Sequence, residues 1–394
     1  MKFFGQGYGH GVGMNQYGAK GRAEDGQTAE EILRAYFHGA TMSTVNPNKL
    51  VRVLLLRKHK ATSAAPLVIY GRGGSWGLTG TDAVFPADAQ LKLWRVSGKP
   101  WKVKVTSAGG DLLYRASVSG RPYVTALEAG TAIQLYSKPS VYDTYRGSLR
   151  LFLASTKRKV TVVNHLGLDD YLRGVAPVEM PVSWSREAVR AQVIASRSYA
   201  VKCRNPGRGK WDMTDDTRSQ VYRGTKAEKG LTNALIEAEP GAVIRYKGDK
   251  VIKAFYFSTG GGATENNEYS FVSSSGTPGT SKVPYLRGIV DRSPYGIPYD
   301  KDAPLYSWKT TRLSTGTLSS MFRKDSRTNV GTLTRLDLRR RGVSGRLYQV
   351  VLYGTAGKKT VSADVFRSVY NRYKPSSARL LRSNLFDTRP IAGT

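Results

Sequence analysis

The sequence predicts an α+β protein: a β-rich mixed domain around one central helix, with an additional β-rich module. Three observations predict it. Between residues 50 and 165, short runs of β-forming residues follow one another, separated by turn residues. After Pro181, the residues Trp184, Ala188, Ala191, Ala195 and Tyr199 recur at the spacing of one helix face. Of the 394 residues, 40% are hydrophobic and 23% charged, enough apolar surface to offset the entropy of ordering, which excludes a disordered chain. At about 100–200 residues per domain, two or three domains or one elaborated domain are expected.

The elements follow in order. Gly7, Gly9, Gly11 and Gly13 alternate with Tyr8, His10, Val12 and Met14. In an extended chain this leaves side chains on one face and bare backbone, open to close approach, on the other. Thr28 and Glu31 form a capping box, and Ile32, Leu33, Tyr36 and Phe37 repeat at helical spacing, so a helix is expected over about 29–37 with Gly39 as its stop. Strands are expected at 51–56, 67–70, 101–105, 112–114, 132–136, 149–153 and 160–163. The helix after Pro181 has Ser183 or Ser185 as its cap, and its small residues suit close packing. Strands at 241–246 and 251–257 follow. The tail carries a helix at 317–323, strands at 333–339 and 347–353, and a helix at 363–373.

Charge and rare residues narrow the chemistry. Lys and Arg number 61 against 29 Asp and Glu, a formal net charge of +32, which concentrates anions at the surface. Nucleic acid and anionic cell-wall polymer both fit such a field. No nucleic-acid-binding motif accompanies it, so a nucleic-acid partner ranks last. Cys203 is the single cysteine, so no intrachain disulfide forms. The four histidines (His10, His38, His59, His165) have no metal-ligand spacing, and phosphate-loop, dinucleotide and serine-elbow motifs are absent. No apolar run reaches the roughly 18–20 residues that span a bilayer. The opening MKFFGQGYGHG passes straight into glycines, so no export signal is expected within this chain.

Three stretches carry a resemblance: Gly9–Ala19 (GHGVGMNQYGA), Tyr171–Pro181 (YLRGVAPVEMP) with Gln192 and Ala195–Ala200 (ASRSYA), and Asp216–Gly224 (DTRSQVYRG) with Phe257–Asn266 (FSTGGGATEN). Together they resemble the SpoIID/LytB family of bacterial cell-wall proteins. The motifs fall between residues 4 and 291, and the tail to about 387 is weakly similar. In most members the GHGVGM-type stretch comes late in the domain, whereas here it opens the chain. The order therefore reads as a circular permutation, which requires neighbouring termini, and Phe4–Gly13 is expected to pack beside Leu380–Phe386. The organisation expected is 1–49 as part of the family core, 50–165 as the β-rich module, and 166–394 as the main core around a catalytic helix.

The resemblance implies a lytic transglycosylase that cleaves peptidoglycan glycan strands, by preference peptide-stripped ones, to 1,6-anhydro-muramic products. It implies an extracytoplasmic, cell-wall location. The alternative is a non-catalytic wall-binding enhancer of an N-acetylmuramoyl-L-alanine amidase, with that amidase as partner. Stripping the stem peptide frees a lactyl carboxylate on every second sugar, so a basic groove suits the substrate and other anionic wall polymers alike. Some members hold zinc through Cys and His; Cys203 has no His within 30 residues, so neither metal nor cofactor is carried over.

Glu179, matching the family's catalytic Glu, is the expected general acid and base. One carboxyl group protonates the leaving glycosidic oxygen, then takes the proton of the sugar's own 6-hydroxyl as the anhydro ring closes; hydrolysis would need a second carboxylate. Its pKa must rise for this, and Val178, Met180 and Pro181 supply desolvation, against a helix N-terminus just downstream. The bland reading is a helix cap or an ion pair. Glu187 reads as a helix-dipole partner, and Asp215 and Asp216 as a solvated turn or a hydrolase's second carboxylate. Arg197 is expected to hold Glu179 or to bind a substrate carboxylate or N-acetyl oxygen. Gln192 and Gln220 are amides suited to sugar hydroxyl and acetamido groups. His10 binds sugar, orients Glu179 or is structural, and Gln16 and Tyr17 belong to the same groove. Tyr222, Ser258, Thr264 and Glu265 complete the expected substrate contacts, the last three around a turn rather than a serine nucleophile.

Overall fold

The structure, a computed structural model, describes residues 1–391 apart from 206 and 249. The last three residues of the expected 166–394 core lie outside the described residues. The fold is mixed α+β with several sheets, as the sequence predicts.

Residues 50–165 supply nearly all of two sheets. One runs in spatial order Met213–Thr214, Leu50–Lys60, Lys159–Gly167, Ser148–Leu153, Tyr123–Ala126, Trp76–Leu78 and Val84–Phe85. The other runs Leu112–Val118, Trp101–Thr106, Gln90–Arg95, Leu67–Arg72, Ala132–Gln134 and Thr144–Tyr145. Alternation drives both: along Leu67–Arg72 and Trp101–Thr106 every second residue is buried. Val51, Val53, Leu149 and Val162 of the first sheet share one apolar cluster with Ile69, Leu91 and Val103 of the second. That cluster continues into Tyr171, Leu172, Val175, Val193 and Ala200, so the sheets are seated on the helices rather than tethered beside them.

The helix expected after Pro181 spans Arg186–Cys203. Its small residues do what the stripe suggests. Ala191 and Ala195 share a buried cluster with Val12, Met14, Ile32, Leu33 and Ala254, so N-terminal and later segments close on one helix face. Ser185 occupies the cap position, but its side chain makes no capping bond. Glu187 reaches across instead and accepts the Ala29 N–H at 2.7 Å, at the start of the helix Ala29–Tyr36. That second helix carries the expected Thr28–Glu31 capping box.

Five α-helices among the described residues escape the sequence reading: Gln16–Glu24, Leu168–Arg173, Ala176–Glu179, Gly230–Ala238 and Asn267–Ser270. The first contains Gly18 and Gly21, which read as breakers. A Cβ on Gly18 would sit 2.2 Å from the Tyr36 hydroxyl, and one on Gly21 would sit 2.1 Å from the Tyr299 carbonyl. Packing therefore demands residues that helix propensity disfavours. The expected strand 251–257 is interrupted: only Lys250–Val251 and Tyr256–Phe257 pair.

The glycine-rich opening is not a flat strand. Gly11 and Gly13 have φ of +87° and +77°, and the approach their missing side chains permit comes from the protein itself. A Cβ on Gly13 would lie 2.2 Å from the Phe255 carbonyl, and one on Gly11 would lie 2.6 Å from the Arg346 guanidinium. The expected meeting of the chain's two ends is present. Phe4–Gln6 is the central strand of a sheet, paired antiparallel with Ser307–Lys309 and with Phe386–Asp387, and Gly9 bridges Ser383. Phe3 then enters the core of the tail, edge-on to Phe366, Tyr370 and Phe386.

Candidate active site

Glu179 is the last residue of the short helix Ala176–Glu179, which Pro177 helps to start. The long helix begins only at Arg186, so Glu179 is not at its N-terminus. One carboxylate oxygen accepts the Val221 N–H at 2.7 Å, and the nearby Tyr256 hydroxyl favours the ionised form of the same carboxyl group. Tyr256 is placed by the parallel pairing of Tyr256–Phe257 with Met14–Asn15, which Gly13 makes possible.

Behind Glu179 lies a buried chain of side-chain amides and hydroxyls. The Gln16 amide donates to the Glu179 carbonyl at 2.9 Å and to Gln192 at 3.0 Å, and Gln192 donates to Ser196 at 2.9 Å. Gln220 donates to the Ser196 carbonyl at 3.2 Å and to the Tyr256 hydroxyl at 3.0 Å, while its own oxygen accepts from Tyr171 at 3.2 Å. A polar network so fully paired inside apolar surroundings fixes its members in place. It clamps Glu179 from its backbone and from its side chain.

Above the network a cleft of about 320 Å³ is lined by His10, Glu179, Tyr199, Thr217, Arg218, Ser219, Val221, Phe255 and Tyr256. Burial raises the Glu179 pKa, and the Val221 N–H and the Tyr256 hydroxyl restrain the rise. Glu179 is the sole carboxylate among the described residues that line this cleft. His10 packs against Phe255, Phe257 and Phe271, and its Nδ1 accepts the Val12 N–H at 3.0 Å. Burial, with the Arg346 charge nearby, lowers its pKa to about 4, so the ring facing the cleft is neutral near pH 7. A larger cavity of about 520 Å³ beside Met42, Ile194 and Ala242 contains none of these groups.

The other expected site residues divide sharply. Tyr17 packs tilted against Trp184 with ring centroids 4.6 Å apart, and both are half-exposed. Gln192 and Gln220 are wholly buried and belong to the network, not to a sugar-binding face. Arg197 does not reach Glu179. It is fully buried, donates to Asp169 at 2.7 Å and to the Ala242 carbonyl at 3.0 Å, and so ties two elements together. Tyr222 is buried too, its hydroxyl on Asn164 at 2.9 Å. Glu265 accepts from the Val343 N–H and the Ser344 hydroxyl, and Thr264 accepts from the Ile289 N–H. Both are loop fasteners away from the cleft. Ser258 holds Tyr17 through its carbonyl, and the N–H groups of Gly260, Gly261 and Gly262 all point at Asp300, leaving none for an oxyanion.

The remaining carboxylates are also committed. Asp215 pairs with Lys138, and the Arg218 guanidinium, with the N–H groups around it, holds Asp216 down to about 2. Among the described residues no three His, Cys, Asp or Glu side chains group as a metal site, and burial pushes the Cys203 thiol up, with Lys253 acting against it.

Sequence reasoning missed Tyr199, Phe255, Tyr256, Thr217, Arg218, Ser219 and Val221 as cleft residues. Tyr199 was visible as the last member of the helical stripe. Tyr256 lies inside an apolar run where nothing distinguishes a site residue from core.

Comparison with known proteins gives similarities over part of the chain. The family model described as Stage II sporulation protein (SpoIID) matches residues 156–246, which hold Glu179, Tyr199, Thr217, Arg218, Ser219 and Val221. An uncharacterized protein of Brachyspira hyodysenteriae is 33% identical over 147 residues, 37% of each chain. Stage II sporulation protein D of Bacillus amyloliquefaciens is 32% identical over 163 residues, 36% of this chain and 42% of the relative. The amidase enhancer of Bacillus subtilis is 38% identical over 115 residues, 29% of this chain and 14% of the relative. The chain thus spans less than half the length of the relatives it matches.

Proposed function

We propose, from the match of residues 156–246 to the SpoIID family model and the partial similarity to stage II sporulation protein D and the amidase enhancer, that the protein is a lytic transglycosylase of peptidoglycan glycan strands, with Glu179 as general acid and base. The observation that carries this reading is the solitary carboxyl group of the cleft, raised in pKa by burial and reachable from solvent. A raised pKa keeps the proton available for the departing glycosidic oxygen. The resulting carboxylate is met at once by the Val221 N–H and the Tyr256 hydroxyl, which stabilise the charge as it forms. It then accepts the proton of the 6-hydroxyl, and the ring closes without a second carboxylate or an activated water. The net charge of +32 favours an anionic, peptide-stripped strand and a location at the cell wall.

A second reading, enhancement of an amidase by wall binding alone, is favoured by the similarity to the amidase enhancer. One experiment separates them. Purified sacculi, with and without prior amidase treatment, are digested with the protein and with Glu179→Gln, and the products are analysed by mass spectrometry. Anhydro-muramic ends that vanish in the variant support the transglycosylase. Ordinary reducing ends mean hydrolysis. Binding without cleavage by either protein, with amidase stimulation intact in Glu179→Gln, supports the enhancer.

A further inference from the structure

The cleft wall of Thr217, Arg218, Ser219 and Val221 leads on to a cation, Arg223, that forms no ion pair among the described residues. Along this stretch Arg218 pairs with Asp216 at 2.8 Å, Lys226 with Asp143 at 2.8 Å, and Lys138 with Asp215. Arg223 has no such partner among the described residues. Its guanidinium lies 5.2 Å from the centre of the Tyr142 ring, which is 36% exposed. Val141, the residue before it, is 73% exposed. The ring is firmly presented: the Tyr145 hydroxyl donates to the Tyr142 carbonyl at 2.8 Å, and Lys138, nearly buried, donates to the Tyr145 hydroxyl at 2.6 Å. Arg223 lies two positions beyond Val221, at most about 7 Å of backbone, which places the pair next to the end of the cleft wall.

An exposed ring beside an uncompensated guanidinium has a definite chemical fit. The ring face takes the C–H face of a hexose, and the planar fork takes a carboxylate on that hexose. We propose that Tyr142 and Arg223 form a glycan subsite that reads the free lactyl carboxylate of muramic acid and thereby selects peptide-stripped strands. The subsite rests on the reading of the cleft as a glycan-cleaving site. It gives the β-rich region a direct part in recognition, since Tyr142 comes from that region.

The test uses the full chain carrying Glu179→Gln, so that ligand is not consumed. Binding of peptide-stripped glycan strands and of an uncharged N-acetylglucosamine hexamer is measured at fixed ionic strength. Arg223→Gln weakens binding of the stripped strands roughly tenfold, the loss of one charge-assisted contact, and leaves the hexamer unchanged. Tyr142→Ala weakens both. Hexamer binding also serves as the folding control for the Arg223 variant. An equal loss for both ligands, or no loss for the stripped strands, overturns the subsite while leaving the cleft reading intact. A parent protein that binds neither ligand overturns the cleft reading and the subsite with it.

Discussion

The Val221 N–H holds one oxygen of Glu179 at 2.7 Å. That bond joins two segments 42 residues apart in the chain, the end of a short helix and an irregular stretch. It also sets the balance at the cleft, because it favours the ionised carboxyl that burial disfavours.

The Tyr256 hydroxyl acts on Glu179 in the same sense, so its removal has a signed consequence. Tyr256→Phe takes away a hydroxyl that favours the carboxylate, and the Glu179 pKa climbs further. The pH–rate limb that reports deprotonation of the acid then moves to higher pH, with a maximal rate roughly tenfold lower. The Gln220 amide loses a buried acceptor, which lowers stability by about 1–3 kcal/mol. A pH–rate profile of glycan cleavage beside a urea unfolding curve checks both. A limb that stays put or moves to lower pH refutes the assigned role of Tyr256.

Arg197 gives the opposite pattern. With its partner Asp169 and the Ala242 carbonyl it forms a buried tie, and breaking such a pair from one side costs about 3–5 kcal/mol. Arg197→Ala is therefore strongly destabilised in chemical denaturation, while the KM of whatever protein remains folded is unchanged. A raised KM at unchanged stability would return Arg197 to the substrate.

Particular residues show what was legible in the sequence. Thr28 and Glu31 are local, and the capping box they announce is present. The alanine stripe of 188–195 is also local, and it announces a helix face packed on other elements. Glu179 was recognisable because a short motif surrounds it. Its partners were not, because Val221 contributes only its backbone and Tyr256 hides in an apolar run. Gln192 and Gln220 show the limit of residue type as a guide: amides suited to sugars suit a buried network equally well, and only burial tells the two apart. Gly18 and Gly21 mislead for a related reason, since the contact that requires a glycine comes from residues far along the chain.

Two histidines make stability depend on pH in a known direction. Burial and neighbouring arginines (Arg346 beside His10, Arg150 and Arg52 beside His165) depress both pKa values from 6.5 to about 4. A depressed folded pKa means that the unfolded chain takes up protons first as pH falls. The stability that these rings contribute is therefore complete above pH 6.5, declines as pH falls, and is gone below about pH 4. His165 is buried, with Nε2 lacking a hydrogen-bond partner, and its share amounts to roughly 3 kcal/mol at most. Urea midpoints between pH 7 and 4.5 should fall less in His165→Phe than in the parent. Parallel slopes for the two proteins would count against a neutral, buried His165.

Ser383 tests the seam between the two ends of the described chain. Its hydroxyl donates to the Gln6 carbonyl at 2.6 Å and accepts the Leu385 N–H at 3.1 Å, at a fully buried position. Ser383→Ala leaves a buried carbonyl and a buried N–H each short of a partner, and the expected loss is about 1–3 kcal/mol. The effect should be spatially ordered, because Gly9 bridges Ser383 and His10 follows directly. Amide exchange should speed up first in residues 4–13 and 383–387 and leave the Leu50–Lys60 strand protected, since a local opening does not require global unfolding. Cleavage should fall along with the opening, because the same loop carries His10 into the cleft. Uniform acceleration across the chain would mean that the seam and the β-rich sheets unfold as one unit, and that the two ends are not separately fastened to the site.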